Sequence, residues 1–242
     1  MAYDIRKSSI HYMEVINDLF RWCNDIGMYA SDRPINDVGD VEGSCVHRSS
    51  YCDDTCFNIK LYRMYPNMGK RDVRCEKEWV NINEQNVHMV SKHFKRKRKQ
   101  TKRIRHMTRG EAFKTAEDVY RVKAMAEEMP DTTWWIPTKA WRDPAIRFLL
   151  EVEIIPMRNI ALNASTDPST TKEQWESLLN SGWNIMFYGD NDMTYDPITG
   201  ERMFACPKTH KHIKGHCADC KAGCFSQTTS FGRRQTVHLR EH

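Results

Sequence analysis

The fold is decided by three short apolar runs, which read TTWWIPT at 132–138, RNIALNAS at 158–165 and WNIMFY at 183–188. Each run has the length of a buried strand and contains the isoleucine or aromatic residues that strands favour. Amphipathic segments at 143–151 and 170–180 lie between the runs and have the spacing of helices. Strands that alternate with helices through short links are typical of parallel β/α units.

The same alternation extends toward the N-terminus, where a strand is predicted at 104–108 and a helix at 115–128. Four strands are visible in this way, and a fifth is expected near residue 40. That number is too small for an eight-stranded barrel, which uses about 250 residues for its eight units. The sequence therefore predicts an α/β fold, either a partial (β/α) barrel or an open parallel sheet.

The segments on either side of this core differ from it. Apolar residues recur at helical spacing over 9–28, a stripe that includes Cys23, and residues 72–98 are expected to form one long polar helix. Periodicity ends after residue 190, and the tail that follows is polar and rich in cysteine. We therefore expect three parts: an N-terminal helix and loop at 1–44, the β/α core with a three-cysteine loop and a basic block at 45–190, and a cysteine-rich metal-binding tail at 191–242.

Composition excludes several classes of protein. The chain has 242 residues, of which 40% are hydrophobic and 29% are charged, as in ordinary globular proteins. A run of about 18 apolar residues and an apolar signal segment are both missing, so no membrane partner is expected. The motifs of P-loop ATPases, common serine hydrolases and zincins are missing as well. Nine cysteines, an odd number in a chain without an export signal, favour a reducing compartment and metal or redox chemistry over disulfides.

A first group of cysteines lies in the segment CVHRSSYCDDTCF at 45–57 and consists of Cys45, Cys52 and Cys56. Three thiolates in a loop before a helix can converge on one centre and leave one coordination position open, as a catalytic metal or cluster requires. Two alternatives stay open. One is a structural site that His47 or Cys75 completes as the fourth ligand, and the other is a set of free thiols.

A second group lies in the segment CPKTHKHIKGHCADCKAGCF at 206–225 and consists of Cys206, Cys217, Cys220 and Cys224. Four thiolates complete a tetrahedral site, which suits structural zinc or a fully ligated iron–sulfur cluster, and the spacing does not decide between them. Cys23 and Cys75 belong to neither group. Cys23 is expected to be a small core residue, because free cysteine buries well.

The net charge of +5 comes from one basic block, the segment KRKRKQTKRIR at 95–105. Such blocks bind polyanions through counterion release, so nucleic acid is a candidate partner. The alternative is a solvated, basic helix end. The basic residues of the block are Lys95, Arg96, Lys97, Arg98, Lys99, Lys102, Arg103 and Arg105.

Polar residues follow several of the predicted strands. The carboxyl ends of parallel strands meet at one edge of a sheet, where β/α folds bind their ligands. An anionic or zwitterionic ligand is expected at this edge, and ordinary strand-to-helix turn chemistry is the alternative. The candidate ligand-binding residues are His106, Arg109, Ser165, Asp167 and Asp190.

The order and spacing of the cysteines resemble the phage "gene product 88" domain family. Members open with a three-cysteine loop that ends in an aromatic residue, here Phe57, and close with Cys-Pro, here with Pro207, followed by Cys-x2-Cys-x3-Cys. The segments 103–113 and 165–168 resemble two middle motifs of the family more loosely. The resemblance covers about residues 40–242 and implies a phage-encoded protein in the host cytoplasm.

The layout of that family is similar to that of radical S-adenosylmethionine enzymes. The similarity implies a 4Fe–4S cluster on the first cysteine group, with S-adenosylmethionine on its free iron, and a second cluster or zinc on the tail. The usual loop there is Cys-x3-Cys-x2-Cys, whereas six and three residues separate the cysteines here. The predicted function is a phage iron–sulfur protein with an open and a closed centre, acting on or near nucleic acid. The alternative is a non-catalytic zinc-binding phage module that binds nucleic acid or a host protein.

Overall fold

A computed structural model describes residues 18–96, 102–190, 194–210, 217–220, 224–225 and 236–240. Within these ranges the strands form one sheet of eight. Their bounds are β1 Arg21–Cys23, β2 Met28–Ala30, β3 Arg103–Arg105, β4 Thr133–Thr138, β5 Ile160–Thr166, β6 Asn184–Gly189, β7 Phe204–Ala205 and β8 Thr236–Arg240.

The strands follow the chain order across most of the sheet, as β1-β2-β3-β4-β5-β6-β8-β7. β1 and β2 are antiparallel, and every other described pair is parallel. Since each parallel strand from β2 to β6 lies beside the next one in sequence, the chain winds across the sheet in one direction. The sheet ends at β1 and β7 and stays open. These features confirm an α/β fold with an open, mostly parallel sheet.

Helices connect the strands, and the helices predicted at 115–128, 143–151 and 170–180 are confirmed with small shifts of their ends. The bounds are α1 Ser50–Thr55, α2 Phe57–Met64, α3 Pro66–Val80, α4 Val87–Lys95, α5 Ala116–Glu128, α6 Pro144–Leu149, α7 Lys172–Asn180 and α8 Pro207–His210. A π-helical segment, Leu150–Ile154, continues α6.

The amphipathic helix predicted at 9–28 is wrong where the structure describes it. The chain forms the β1–β2 hairpin there, in which Trp22 pairs with Tyr29 and the two rings meet edge to face at 5.2 Å. The turn holds Gly27 at a φ of 68°, a left-handed conformation that glycine adopts without strain. The apolar residues of this segment therefore reach the core from a β-hairpin and not from a helix. Residues 1–17 lie outside the described ranges.

The single long helix predicted at 72–98 is wrong, because α3 and α4 are separate helices. Between the two helices, asparagine side chains accept hydrogen bonds from backbone N–H groups. Asn83 N donates to Asn86 Oδ1 at 2.9 Å, and Gln85 N donates to Asn83 Oδ1 at 3.0 Å. Side chains that bond nearby backbone offer the chain an alternative to helix, which explains the break.

The outer parallel strands come from unexpected places. The prediction of a strand near residue 40 is wrong, because Val38 and Val41 form only an isolated bridge. β2 lies beside β3 in the sheet instead. β8 follows residue 190, in a tail for which the sequence predicts no regular structure, and it pairs with β6. The cysteine-rich tail is thereby joined to the sheet.

The two faces of the sheet have different surroundings, because side chains alternate along a strand. On one face Ile104, Trp134 and Ile185 are fully buried in the same apolar core as Val122 and Leu178 of the helices. The opposite face carries both cysteine groups, as described below, and is here called the thiol face. By strand register it presents Arg105, Trp135, Asn163, Met186 and Tyr188.

Removal of the cap at Thr171 tests the local energetics of α7. The Thr171 hydroxyl accepts a bond from Gln174 N at 3.3 Å, and Thr171 N donates to Gln174 Oε1 at 3.0 Å. We expect Thr171→Ala to lower the free energy of unfolding in urea by about 1 kcal/mol. Thr171→Ser keeps the hydroxyl and is the control. Equal stability of the two variants would show that the cap does not stabilise α7.

Candidate metal centres

The first cysteine group lies on the connection that leaves β2, the first parallel strand. Ser49 caps α1 by accepting a hydrogen bond from Cys52 N at 3.1 Å. Cys56 separates α1 from α2 and is the N-cap of α2. Cys45 lies earlier in the loop, where its backbone N donates to Ile35 O at 3.4 Å. Two short helices that meet at Cys56 therefore position two of the three thiols.

The three thiols are close enough to change one another's pKa values. Cys52 donates a hydrogen bond to Cys56, and this bond lowers the pKa of Cys56 to about 6 against the effect of burial. The backbone N–H groups of Ile59 and Asn58, at the start of α2, lower the pKa of Cys56 further. The same hydrogen bond raises the pKa of Cys52. Burial, aided by neighbouring negative charge, raises the pKa of Cys45 to about 12.

The candidate fourth ligands of this group have other partners. His47 Nε2 is hydrogen-bonded to Phe113 O at 3.1 Å. Cys75 is buried in α3, and its Sγ donates to Asp18 O at 3.1 Å. The neighbouring Glu111 carboxylate already accepts four hydrogen bonds. Both candidate fourth ligands are therefore engaged with backbone carbonyls in this structure.

Charged side chains from the ends of β4 and β5 lie beside these thiols. Ser49 Oγ donates to Asp167 Oδ2 at 2.6 Å and so ties the cysteine loop to the end of β5. Arg142 Nη2 donates to the same oxygen at 3.0 Å. Lys139 Nζ lies 3.2 Å from Ser165 Oγ and 3.7 Å from Asp167 Oδ2. The positive charge of Lys139 also lowers the pKa of each of the three thiols.

The predicted ligand-binding residues do not form one group. Ser165 and Asp167 lie in the charged cluster just described, whereas Asp190 is exposed after the end of β6. Arg142 was missed, although it lies in the link after β4, where the strand-end rule directs attention. The first-group site therefore has more positive charge than the sequence predicts.

His106 and Arg109 have partners inside the fold. The His106 ring is fully buried, 4.9 Å from the Trp79 ring and 5.9 Å from the Trp134 ring. Burial lowers the pKa of His106 to about 3, so the ring is neutral. Arg109 donates to both carboxylate oxygens of Asp72, at 2.8 and 2.7 Å. The partners inside the fold are therefore Ser31, whose Oγ lies 2.8 Å from His106 Nδ1, and Asp72, whereas His106 Nε2 is buried without a partner among the described residues.

All four cysteines of the second group line one cavity on the thiol face. Its volume is about 40 Å³. Strands β4, β6 and β8 contribute Trp135, Met186 and Leu239 to the lining, and Phe225 covers it from the tail. Burial raises the pKa of Cys224 to about 12, and the negative charges of the other three cysteines raise it further. The remaining lining is aromatic and apolar, so the thiols are the side chains of this cavity with the chemistry of metal ligands.

The four thiols line this cavity, but they are not arranged as a ligand set for a single metal ion. In the described part of the chain, no three His, Cys, Asp or Glu side chains are arranged to hold one metal ion. A zinc ion lies about 2.3 Å from each of its sulfur ligands, so zinc would require the thiols to move inward. A 4Fe–4S cluster places each thiolate on a different iron, so its ligands stand apart.

The basic block divides between two environments. Arg103 and Arg105 lie in β3, and their guanidinium groups stand 4.9 Å from the centre of the Phe225 ring and 4.5 Å from that of Trp135. Arg103 also donates to the carbonyl of Ala218. These two arginines therefore pack beside the second cysteine group rather than on a phosphate-binding surface. Lys95, Arg96 and Lys102 are exposed, and Lys97, Arg98 and Lys99 lie outside the described residues.

The two cysteine groups are neighbours along β6. Tyr188 Oη donates to Thr55 O at 3.3 Å, and the Tyr188 ring lies 6.2 Å from that of Tyr51, so the first group covers the carboxyl end of β6. Met186, two residues earlier on the same face, lines the cavity of the second group. Two residues of a strand span about 7 Å. Both groups therefore occupy one region of the thiol face.

No protein-family model matches the chain, and no curated protein or solved structure matches it. Among the described residues, helices with the length and apolar character needed to cross a membrane are missing. The chemistry of the two cysteine groups must therefore be argued from their own geometry.

Cys56 is expected to be the most reactive thiol of the first group in metal-free protein. The thiolate is the nucleophile, and the pKa of Cys56 is lowered to about 6 whereas that of Cys45 is raised to about 12. Iodoacetamide near neutral pH should therefore label Cys56 first, and the labelling rate should fall as the pH drops through about 6. Peptide mass spectrometry measures the labelling. Equal labelling of Cys45 and Cys56 would contradict the hydrogen bond that Cys52 is assigned to donate to Cys56.

Proposed function

We propose that the protein is an iron–sulfur protein with two thiolate-ligated centres on one face of an open α/β sheet. The observation that carries the proposal is the convergence of Cys206, Cys217, Cys220 and Cys224 on one cavity. Thiolates are the protein ligands that iron–sulfur clusters and structural zinc prefer. A second set of three interacting thiols, at the carboxyl end of the same sheet, supports a second centre.

The chemistry of the donor set supports a thiolate-ligated centre at the second group. The four thiols line a cavity of about 40 Å³ whose other lining residues are aromatic or apolar. A 4Fe–4S cluster binds each thiolate at its own iron, whereas zinc binds all four at one ion. The cluster is the form proposed here, and zinc is its rival at the same four thiols.

The three-cysteine centre is proposed as the open one. His47 and Cys75, the candidate fourth ligands, are engaged with backbone carbonyls elsewhere. Three thiolates then hold a cluster with one iron free for a small ligand. When bound, such a cluster supplies an electron and a coordination site, and S-adenosylmethionine is the ligand class proposed for it.

The charged cluster beside the thiols suits a zwitterionic ligand of this kind. Lys139 and Arg142 present positive charge that can orient the carboxylate of such a ligand. Asp167 already accepts four hydrogen bonds, so its role is to hold these two cations in place. Charge-assisted hydrogen bonds of this type are stronger than neutral ones and fix the orientation of a ligand. Ser49 couples this cluster to the cysteine loop, so ligand and centre share one rigid frame.

A zinc-binding module that recruits nucleic acid is the rival proposal. The exposed Lys95, Arg96 and Lys102 favour it, because exposed basic side chains near one another attract phosphate. Such a module needs neither an open coordination position nor the charged cluster at Asp167. The two proposals therefore differ in ligand binding at the first group.

Binding of S-adenosylmethionine to anaerobically reconstituted protein tests the proposed function. Calorimetry should detect binding to the full chain, and Arg142→Met should weaken binding by about tenfold or more, since a hydrogen bond to a charged group is lost. Arg147→Met in α6 is the matched control, because Arg147 pairs with Glu151 away from the thiols. Binding that is missing in the wild-type protein, or equal in both variants, would contradict the proposed ligand site.

A further inference from the structure

Arg105 is a charged residue on the inner part of the sheet that the proposed centres leave unexplained. Its Nε atom is buried and has no hydrogen-bond partner among the described residues. Its guanidinium group stacks on the Trp135 ring at 4.5 Å, which holds the side chain against the thiol face. A buried donor that lacks a partner is costly, so the partner of Arg105 Nε is to be sought outside the described protein atoms.

Carboxylates do not supply the missing negative charge. In the described part of the chain no salt bridge joins Arg105 to an acidic residue. The acidic side chain that its charge reaches, Asp32, is already paired with Arg21 at 2.7 Å, Arg71 at 2.6 Å and Arg109 at 3.0 Å. Arg105 is therefore a partly buried cation whose Nε–H is buried and which has no carboxylate of its own among the described residues.

The second cysteine group lies next to this cation. Trp135, on which Arg105 stacks, lines the four-cysteine cavity. Ala30 is the register partner of Arg105, and Cys217 packs on the apolar cluster that contains Ala30. Among the thiols, Cys217 interacts most strongly with the charge of Arg105, followed by Cys23 and then Cys224.

A four-thiolate centre has the charge that Arg105 lacks. Four thiolates on a zinc ion, or on a cluster core of the same charge, carry a net negative charge of about two. Such an anionic centre in an apolar cavity needs nearby positive charge and hydrogen-bond donors. Arg105 offers both on a strand, which is a rigid support.

We propose that Arg105 is the counter-cation of the four-cysteine centre and donates its Nε–H to a thiolate of Cys217 or Cys224. This inference rests on the four-cysteine part of the proposed function but is independent of the identity of the metal. Arg105 is a positioning residue, which holds the thiolates and their charge in place. This role replaces the predicted contact of Arg105 with nucleic acid by a contact with the thiolates of a metal centre.

Metal retention in the full chain tests this role. Arg105→Met removes the charge and the donor at similar size, and Arg105→Lys keeps the charge. Arg147→Met in α6 is the matched control, because Arg147 pairs with Glu151 and, among the described residues, does not contact the cysteine groups. We expect Arg105→Met to lose the second-centre metal to EDTA about tenfold faster or more, as for other residues that support metal ligands. Arg105→Lys should restore much of the retention, and Arg147→Met should resemble the wild type.

The outcomes separate this inference from the proposed function. The metal content of Cys220→Ser is compared with that of the wild type. The metal that this variant lacks is assigned to the second centre. If Arg105→Met retains the second-centre metal as well as Arg147→Met does, while Cys220→Ser lacks that metal, the role of Arg105 alone is overturned. Equal metal content in Cys220→Ser and the wild type would overturn the four-cysteine centre and the inference together. Circular dichroism of each variant checks that the sheet is retained.

Discussion

Arg33→Met is expected to lower the free energy of unfolding by about 3–5 kcal/mol, the usual effect of breaking a buried ion pair. Arg33 is 2% exposed and donates to both oxygens of Glu76, at 2.5 and 2.7 Å. A third nitrogen donates to Asp118 Oδ2 at 2.9 Å. The substitution removes the cation that Glu76 of α3 and Asp118 of α5 share. Both carboxylates are buried where the connection after β2 packs against these two helices.

Unfolding in guanidinium chloride measures this effect, and Arg121→Met is the matched control. Arg121 also pairs with Asp118, at 2.9 Å, but its side chain is 19% exposed. The control should therefore lose about 1 kcal/mol or less. An Arg33→Met protein as stable as Arg121→Met would show that the buried network contributes little to the position of the cysteine loop.

Single cysteine replacements are expected to remove one centre each. Cys52→Ser should lose the metal of the first centre and keep the second, and Cys220→Ser should do the opposite. The physical reason is that each centre draws its thiolates from one group, and a serine hydroxyl is a poor ligand for soft metals. For two 4Fe–4S clusters, each variant should retain about half of the iron.

Cys23→Ser and Cys75→Ser are the matched controls, because neither residue lines the four-cysteine cavity or takes part in the thiol interactions of the first group. Both should keep the full metal content, as measured by elemental analysis of anaerobically purified protein. Loss of metal in a control, or the same residual metal in all four variants, would contradict the division of the cysteines into two groups.

The sequence was most informative where the fold is built from local patterns. The runs around Trp134, Ile160 and Ile185 are apolar strands between helices, and all three form where expected. The hairpin at Trp22 and Tyr29 was mistaken for a helix because short strands with apolar residues on both faces lack a clear period of two. Its pairing with β3 comes from tertiary contacts, which local periodicity does not contain.

The grouping of the cysteines was predictable from the sequence, whereas the surroundings of the two groups were much less so. The spacing of the cysteines was enough to predict two groups, since ligand spacing is a local property. Arg105 was assigned to a basic surface, because counting charges does not reveal that a strand places it against Trp135. Arg142 was missed for a similar reason, because its approach to Asp167 depends on how β4 and β5 pair.

Iron and acid-labile sulfide in the full chain, purified without oxygen, test the central claim most directly. The account predicts brown protein with about four iron atoms and as many sulfides for each centre, and with visible absorbance that bleaches on reduction. Colourless protein with zinc in place of iron and sulfide would contradict the iron–sulfur assignment. Protein that binds neither metal under these conditions would contradict both proposed centres.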